Sequence, residues 1–125
     1  EEMDINFRLP LAYSPDDLGQ RLRDFAEKGK VSILYGDPAF KANKNTPLVR
    51  AFMQSLRSVG VTPRFKVKTG TSDMNVVAPE WRCPAIAYGP GDSSLDHTPE
   101  EHIYISEYEK SIDILVKALK YLEEA

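Results

Sequence analysis

Hydrophobic positions along the chain repeat with two different periods. Three long segments repeat every three to four residues and predict amphipathic helices that begin near Ser14, Thr46 and Ser106. Short segments that alternate or run together predict β-strands at residues 5–9, 31–35, 64–68 and 84–88. Because helices and strands follow each other along the chain, the pattern predicts an α/β fold.

The predicted helices carry recognisable start signals. Ser14 and Thr46 can cap the first turn, and each is followed by a proline that fits that turn. Ser106 and Glu109 have the spacing of a capping box. We expect the apolar stripe of the last helix to face a core; it comprises Tyr108, Ile112, Leu115, Val116, Leu119 and Leu122.

Length and composition narrow the class of protein. The 125 residues fit one ordinary domain, and the single cysteine, Cys83, excludes an internal disulfide and predicts a cytoplasmic location. We expect no membrane or nucleic-acid partner, because no apolar run approaches membrane-spanning length and the net charge is -3. The chain does not begin with methionine and its first residues predict a strand, so we expect a fragment of a longer protein.

Charge is unevenly distributed along the chain. Residues 41–68 hold seven basic residues and no acidic one, whereas residues 73–125 hold eleven acidic residues against four basic ones. Such polarity can steer an acidic partner toward one face of a domain. It is equally typical of a solvated surface, and lysine and arginine on residues 64–68 would also protect an edge strand from aggregation.

The turn at residues 70–73 is a candidate anion site. Gly70 allows close approach of a ligand to the backbone, while Thr71 and Ser72 offer hydroxyl and N–H groups. This arrangement suits a carboxylate or the oxyanion of an acyl-transfer intermediate. Serine and threonine before Asp73 are also ordinary helix caps, so the pattern alone leaves both interpretations open.

His97 is the candidate metal ligand, on a polar, glycine-rich loop that follows a predicted strand. Its neutral ring could bind a metal ion while a neighbouring carboxylate orients it. The acidic neighbours are Asp96, Glu100 and Glu101. A surface histidine without a ligand is the alternative, because no second histidine or cysteine stands at ligand spacing and His102 is expected on the opposite face.

Taken together, the turn at 70–73, the glycines at 89–91 and the histidine motif at 97–101 resemble the closing pattern of a known family. It comprises zinc-dependent amidohydrolases and exopeptidases, including acetylornithine deacetylase, succinyl-diaminopimelate desuccinylase, aminoacylase and carboxypeptidase G. The resemblance covers essentially the whole chain. Segments 68–75 and 92–99 are most similar to the N-acetyl-lysine deacetylase type, which releases lysine or ornithine from an acidic amino-group carrier protein.

The resemblance implies an α/β fold in two parts. Residues 1–45 would be the end of an α+β lid, or dimerisation, domain. Residues 46–125 would be the C-terminal segment of a phosphorylase/hydrolase-like catalytic domain. A homodimer through the lid is therefore expected.

The resemblance also assigns roles to residues. His97 would be the last ligand of a site that holds two zinc or cobalt ions, and Arg8 would reach the substrate carboxylate from the lid. The implied substrate-binding residues are Arg8, Gly70, Thr71, Ser72, Asp73 and Ser93. The remaining ligands and the catalytic glutamate have no counterpart in this chain, so we expect them upstream.

The implied function is metal-dependent amide hydrolysis that releases lysine or ornithine in lysine and arginine biosynthesis. The precursor would be a small N-acyl amino acid or a carrier-linked one, and the chain alone should be inactive. Alternatives are a dipeptidase, a desuccinylase, or a non-catalytic α/β dimerisation or interaction domain. Met74 and Asn75 differ from the residues that many relatives carry, so side-chain specificity cannot be taken from the desuccinylase.

Overall fold

A computed structural model of the chain describes residues 2–68 and 70–124. The helices within these ranges are α1 (Pro15–Phe25), α2 (Pro47–Ser58), α3 (Asp73–Trp81) and α4 (Ile105–Glu123). The chain divides into two compact units, the first formed by Glu1–Ala42 with Lys66–Cys83 and the second by Asn43–Phe65 with Pro84–Ala125. None of the described helices is both long and apolar enough to span a membrane.

The predicted α/β fold is wrong for this structure. Within residues 2–68 and 70–124 no strand forms, and the segments 5–9, 31–35, 64–68 and 84–88 have irregular backbone. The backbone hydrogen bonds described outside the helices are local turns and caps. A strand needs a second strand for its N–H and C=O groups, and alternating side chains do not specify that partner. An α/β catalytic segment preceded by an α+β lid is therefore corrected to helices joined by irregular segments.

Helix α1 begins where its sequence predicts. The Asp17 N–H donates to Ser14 Oγ at 3.0 Å, and the Ser14 N–H donates to Asp17 Oδ2 at 3.3 Å, which completes a capping box. Gly19 is buried on this helix, and a Cβ atom there would collide with the Ile33 side chain. Glycine at position 19 therefore lets the segment around Ile33 lie directly against α1.

Replacing Ser14 with alanine is expected to destabilise α1 by about 1 kcal/mol, because the first turn loses its side-chain acceptor. The Ser14 hydrogen bonds also hold the pKa of Asp17 below its usual value. A lowered carboxyl pKa stabilises the folded chain above the unfolded pKa of about 3.9, and this contribution is lost as pH falls through the folded pKa. Urea unfolding followed by circular dichroism at pH 7 and pH 3 should therefore show a smaller acid effect in Ser14→Ala.

Ser106→Ala is the matched control for this prediction, because Ser106 lies inside α4 and not at its N-cap. If the two alanine variants lost equal stability with equal acid dependence, the capping argument would be wrong.

The second unit is built on the packing of α2 against α4. Thr46 caps α2 as predicted, since its Oγ1 accepts the Val49 N–H at 3.2 Å. The Phe52 and Tyr88 rings meet at 5.0 Å between centroids, and the Tyr88 hydroxyl donates to the Ser111 carbonyl at 3.2 Å. Burial raises the pKa of Tyr88. The buried helix residues are Val49, Ala51, Phe52, Ser55, Ser111, Ile114 and Ala118.

Helix α4 differs from its prediction in start and face. Its N-cap is Tyr104, and its first residue, Ile105, directly precedes the predicted cap Ser106. Five of the six residues of the predicted core stripe are exposed and Leu122 is half-buried; Tyr108 and Leu119 are each 53% accessible. The face that packs carries Ser111, Ile114 and Ala118. The small side chains of Ser111 and Ala118 allow the two helices to approach closely around Ile114.

Candidate functional site

The turn at residues 70–73 opens helix α3. Ser72 is the N-cap with extended backbone, and α3 begins at Asp73, whose negative charge favours the positive end of the helix dipole. Gly70, Thr71 and Ser72 are exposed. Thr69, which belongs to the segment 68–75 of the resemblance, lies outside the described residues. The turn therefore presents the backbone at the N-terminus of α3 to solvent.

Arg8 lies against this turn. A Cβ atom built on Gly70 would sit 3.2 Å from Arg8 Nη1, so the guanidinium closely approaches a backbone without a side chain. Both residues belong to the first unit. A guanidinium group and a helix N-terminus each attract a carboxylate. The structure thus brings together two of the positions predicted to bind the substrate carboxylate, whose binding role remains a prediction.

His97 is held in an uncommon backbone conformation. Its φ angle is +65°, and its N–H donates to Glu101 Oε2 at 3.0 Å. Next to it, the Thr98 N–H and Oγ1 both donate to the Leu95 carbonyl, at 3.1 and 2.7 Å. The left-handed region is sparsely populated by residues other than glycine, and such conformations cluster at functional sites. The loop therefore fixes the backbone of an exposed histidine.

The described residues do not form a complete metal site. Among them, no group of three histidine, cysteine, aspartate or glutamate residues could hold a metal ion. His102 Nδ1 lies 2.6 Å from the Glu100 carbonyl, and its ring stands edge-on to Tyr104. Zinc takes four ligands in most protein sites, so the exposed imidazole of His97 would be only one of them.

Ser93 and His97 belong to the second unit, whereas Arg8 and the turn at 70–73 belong to the first. Ser93 is exposed in a tight turn where the Ser94 N–H donates to Asp92 Oδ1 at 2.9 Å. Each unit therefore carries part of the predicted site. Whether Ser93 contacts a substrate remains a prediction.

Asn75 lies in the first turn of α3, and the sequence alone assigned it no role in the candidate site. Its Oδ1 accepts the Ser72 N–H at 2.9 Å, and its Nδ2 donates to the Pro38 carbonyl at 2.8 Å. The first bond was foreseeable, because a polar residue three positions after a serine has the capping-box spacing. No local pattern indicated the second bond, which spans 37 positions.

Positive charge is placed on one face of α2. Arg50 and Arg57 lie seven positions apart and line an open depression with Met53 and Gln54. Residues 64–68 form no strand, so the edge strand that their lysine and arginine side chains were expected to protect is absent. Helix α2 therefore places two of the seven basic residues of segment 41–68 beside one depression.

Comparison with known proteins identifies the family. The sequence model for peptidase family M20/M25/M40 matches residues 10–121. The LysW-lysine hydrolase of Deinococcus radiodurans is 46% identical over 120 residues, which are 94% of this chain and 33% of that protein. A Thermococcus kodakarensis protein, provisionally named LysW-lysine/LysW-ornithine hydrolase, is 45% identical over 124 residues, 99% of this chain and 33% of its own.

A more distant relative is the LysW-lysine/LysW-ornithine hydrolase of Saccharolobus islandicus, which is 32% identical over 118 residues, 94% of this chain and 34% of that protein. The chain spans about a third of the length of these curated relatives. Peptidases of the matched family are generally metal-dependent. These matches confirm the family resemblance that the sequence motifs indicate, and the chain belongs to this peptidase family.

Proposed function

We propose that this chain forms part of a metal-dependent amide hydrolase that releases lysine or ornithine from an acidic amino-group carrier protein. The approach of the Arg8 guanidinium to Gly70 at the start of α3 carries the proposal. An amino acid acylated on nitrogen keeps a free carboxylate. The Arg8 guanidinium offers it a positive charge beside the exposed backbone and hydroxyl groups of the turn at 70–73. The names of the relatives support lysine and ornithine as the released products.

In this proposal the substrate carboxylate lies between Arg8 and the turn. The Arg8 guanidinium forms paired hydrogen bonds with the two carboxylate oxygens, which fixes their plane. Gly70 leaves room for the substrate, and the Thr71 and Ser72 hydroxyl groups complete the contact. Asp73 begins α3. Ser93 is proposed as a separate substrate contact within the second unit.

The proposed metal centre holds two zinc or cobalt ions, with His97 as one ligand and the others outside the described residues. The ions would supply Lewis-acid chemistry at the scissile amide. The general base would be a glutamate outside this chain, so a polypeptide of these 125 residues is expected to hydrolyse nothing by itself. We place the whole enzyme in the cytoplasm, as a homodimer in lysine and arginine biosynthesis.

A carrier-bound substrate would bring an acidic protein surface to the enzyme. Arg50 and Arg57 on α2 are the basic pair that we propose meets it, because complementary charge accelerates association. A free N-acyl amino acid presents no acidic protein surface for Arg50 and Arg57 to bind. The two substrate forms should therefore respond differently to charge reversal on α2.

The test is a substrate panel on the whole enzyme, comprising carrier-bound lysine and ornithine, free N-acetyl-lysine, a dipeptide and succinyl-diaminopimelate. Carrier-bound lysine or ornithine should have the highest kcat/KM. In Arg50→Glu/Arg57→Glu, hydrolysis of carrier-bound substrate should slow about tenfold or more at low salt, while free N-acetyl-lysine is spared.

Lys110→Glu/Lys120→Glu on α4 is the matched double reversal and should leave both substrates unaffected. Equal losses on carrier-bound and free substrate would reject the docking surface. Fastest turnover of the dipeptide or the succinyl compound would select the dipeptidase or desuccinylase instead. No turnover, with no stoichiometric metal in the whole protein, would favour a non-catalytic interaction domain.

A further inference from the structure

Asn75 connects the start of α3 to a segment far from it in sequence. It occupies the third position of the helix whose N-cap is Ser72. The Ser72 N–H donates to Asn75 Oδ1 at 2.9 Å, and Asn75 Nδ2 donates to the Pro38 carbonyl at 2.8 Å. All three residues belong to the first unit. One side-chain amide, whose two hydrogen bonds are exposed, therefore links two separate stretches of backbone.

One partner of Asn75 is a hydrogen-bond donor and the other is an acceptor, which explains why a side-chain amide fits this position. Ser72 offers a backbone donor and Pro38 a backbone acceptor, and asparagine carries one acceptor oxygen and one NH₂ donor on the same carbon. Aspartate would place a carboxylate oxygen against the Pro38 carbonyl, and leucine would bond to neither. Glutamine keeps the amide but adds a methylene, which moves the NH₂ group away from its partner.

The segment that receives the Asn75 amide is itself packed against α1. A Cβ atom on Gly36 would lie 2.6 Å from Pro15 Cβ, so the backbone just before Pro38 contacts the first turn of α1. The amide thus ties the N-terminus of α3 to a packed region of the unit. It fixes the Ser72 backbone, two residues after the glycine that Arg8 approaches.

We propose that Asn75 is a positioning residue for the substrate carboxylate. Its two hydrogen bonds hold the backbone of the turn at 70–73 in the position from which the turn and Arg8 both contact the substrate carboxylate. Asn75 itself does not contact the substrate. This inference rests on the proposed function, because the carboxylate is that of the amino acid to be released. Loss of a residue that orients a contact made equally in the ground state and the transition state raises KM and leaves kcat near the wild-type value.

Two neutral variants of the whole enzyme test the proposal with free N-acetyl-lysine as substrate. Asn75→Gln retains a capping-box residue at this position and disrupts the bond to Pro38, whereas Asn75→Leu removes both bonds without changing charge. Both should raise KM about fivefold to tenfold, the effect of one net hydrogen bond, with kcat nearly unchanged. Backbone amides of the turn at 70–73 should exchange hydrogen faster in both variants.

Asn43→Leu is the matched control, because Asn43 Oδ1 also accepts a backbone N–H, that of Asn45, at 2.9 Å in the second unit. It should leave KM and exchange in the turn at wild-type values. Wild-type KM in both Asn75 variants would overturn the inference, as would a fall in kcat alone, which indicates a merely structural role. If the wild-type enzyme hydrolysed no N-acyl amino acid, the proposed function would fail. Hydrogen exchange in the turn at 70–73 would still show separately whether Asn75 holds this backbone in place.

Discussion

His97→Ala is expected to remove one metal ion from the whole enzyme and to lower kcat/KM more than about a hundredfold. Outer partners of metal ligands already cost up to that factor when they are lost, and a direct ligand should cost more. The hydrogen bond at position 97 is expected to persist in this variant, because Glu101 Oε2 accepts the backbone N–H and not an imidazole N–H. Metal content after dialysis, measured by mass spectrometry beside the activity, checks the prediction.

His102→Ala provides the comparison for His97→Ala. His102 is also exposed and close in sequence, but its ring lies against the Glu100 carbonyl and Tyr104. We expect near-normal metal content and activity in this variant. Equal losses in the two variants would mean that His97 acts through loop stability and is not a ligand.

Phe52→Ala is expected to destabilise the second unit by about 3 kcal/mol or more, because a buried phenylalanine that becomes alanine leaves a cavity. Phe52 is only 8% accessible, and its ring is tilted against that of Tyr88. Hydrogen exchange of the α2 and α4 amides reports this unit specifically. Exchange should accelerate in both helices together, because they pack on each other.

Phe65→Ala makes the same chemical change in the same unit at a position that is 63% accessible. Its cost should stay below about 1 kcal/mol, as for most surface substitutions. Should both alanine variants accelerate exchange equally, the packing of α2 on α4 would not be the core of the unit.

Local signals in the sequence predict the starts of α1 and α2 well. Ser14 and Thr46 cap their helices because the bonding partners lie three residues away, within reach of any local pattern. Strand pairing is not local in this sense. The alternation at residues 5–9 describes two faces of a strand and contains no information about a partner, so the predicted sheet does not form among the described residues.

In the candidate site too, local features could be predicted from the sequence and long-range contacts could not. The turn before Asp73 was recognisable as a helix start, and His97 as an exposed loop residue, from neighbouring residues alone. The proximity of Arg8 to Gly70 and the bond from Asn75 to Pro38 depend on how distant segments meet. The family resemblance implies a role for Arg8, whereas the bond from Asn75 to Pro38 is a long-range contact that no local pattern indicates.

The contact between Gly19 and Ile33 has a consequence for how this sequence can change. A glycine inside a helix costs about 1 kcal/mol relative to alanine, so selection for α1 alone would favour alanine at position 19. The Ile33 side chain occupies the space that such a methyl group would need. We therefore expect positions 19 and 33 to be epistatic, because a methyl group at position 19 requires the Cδ1 end of the Ile33 side chain to move or to be absent.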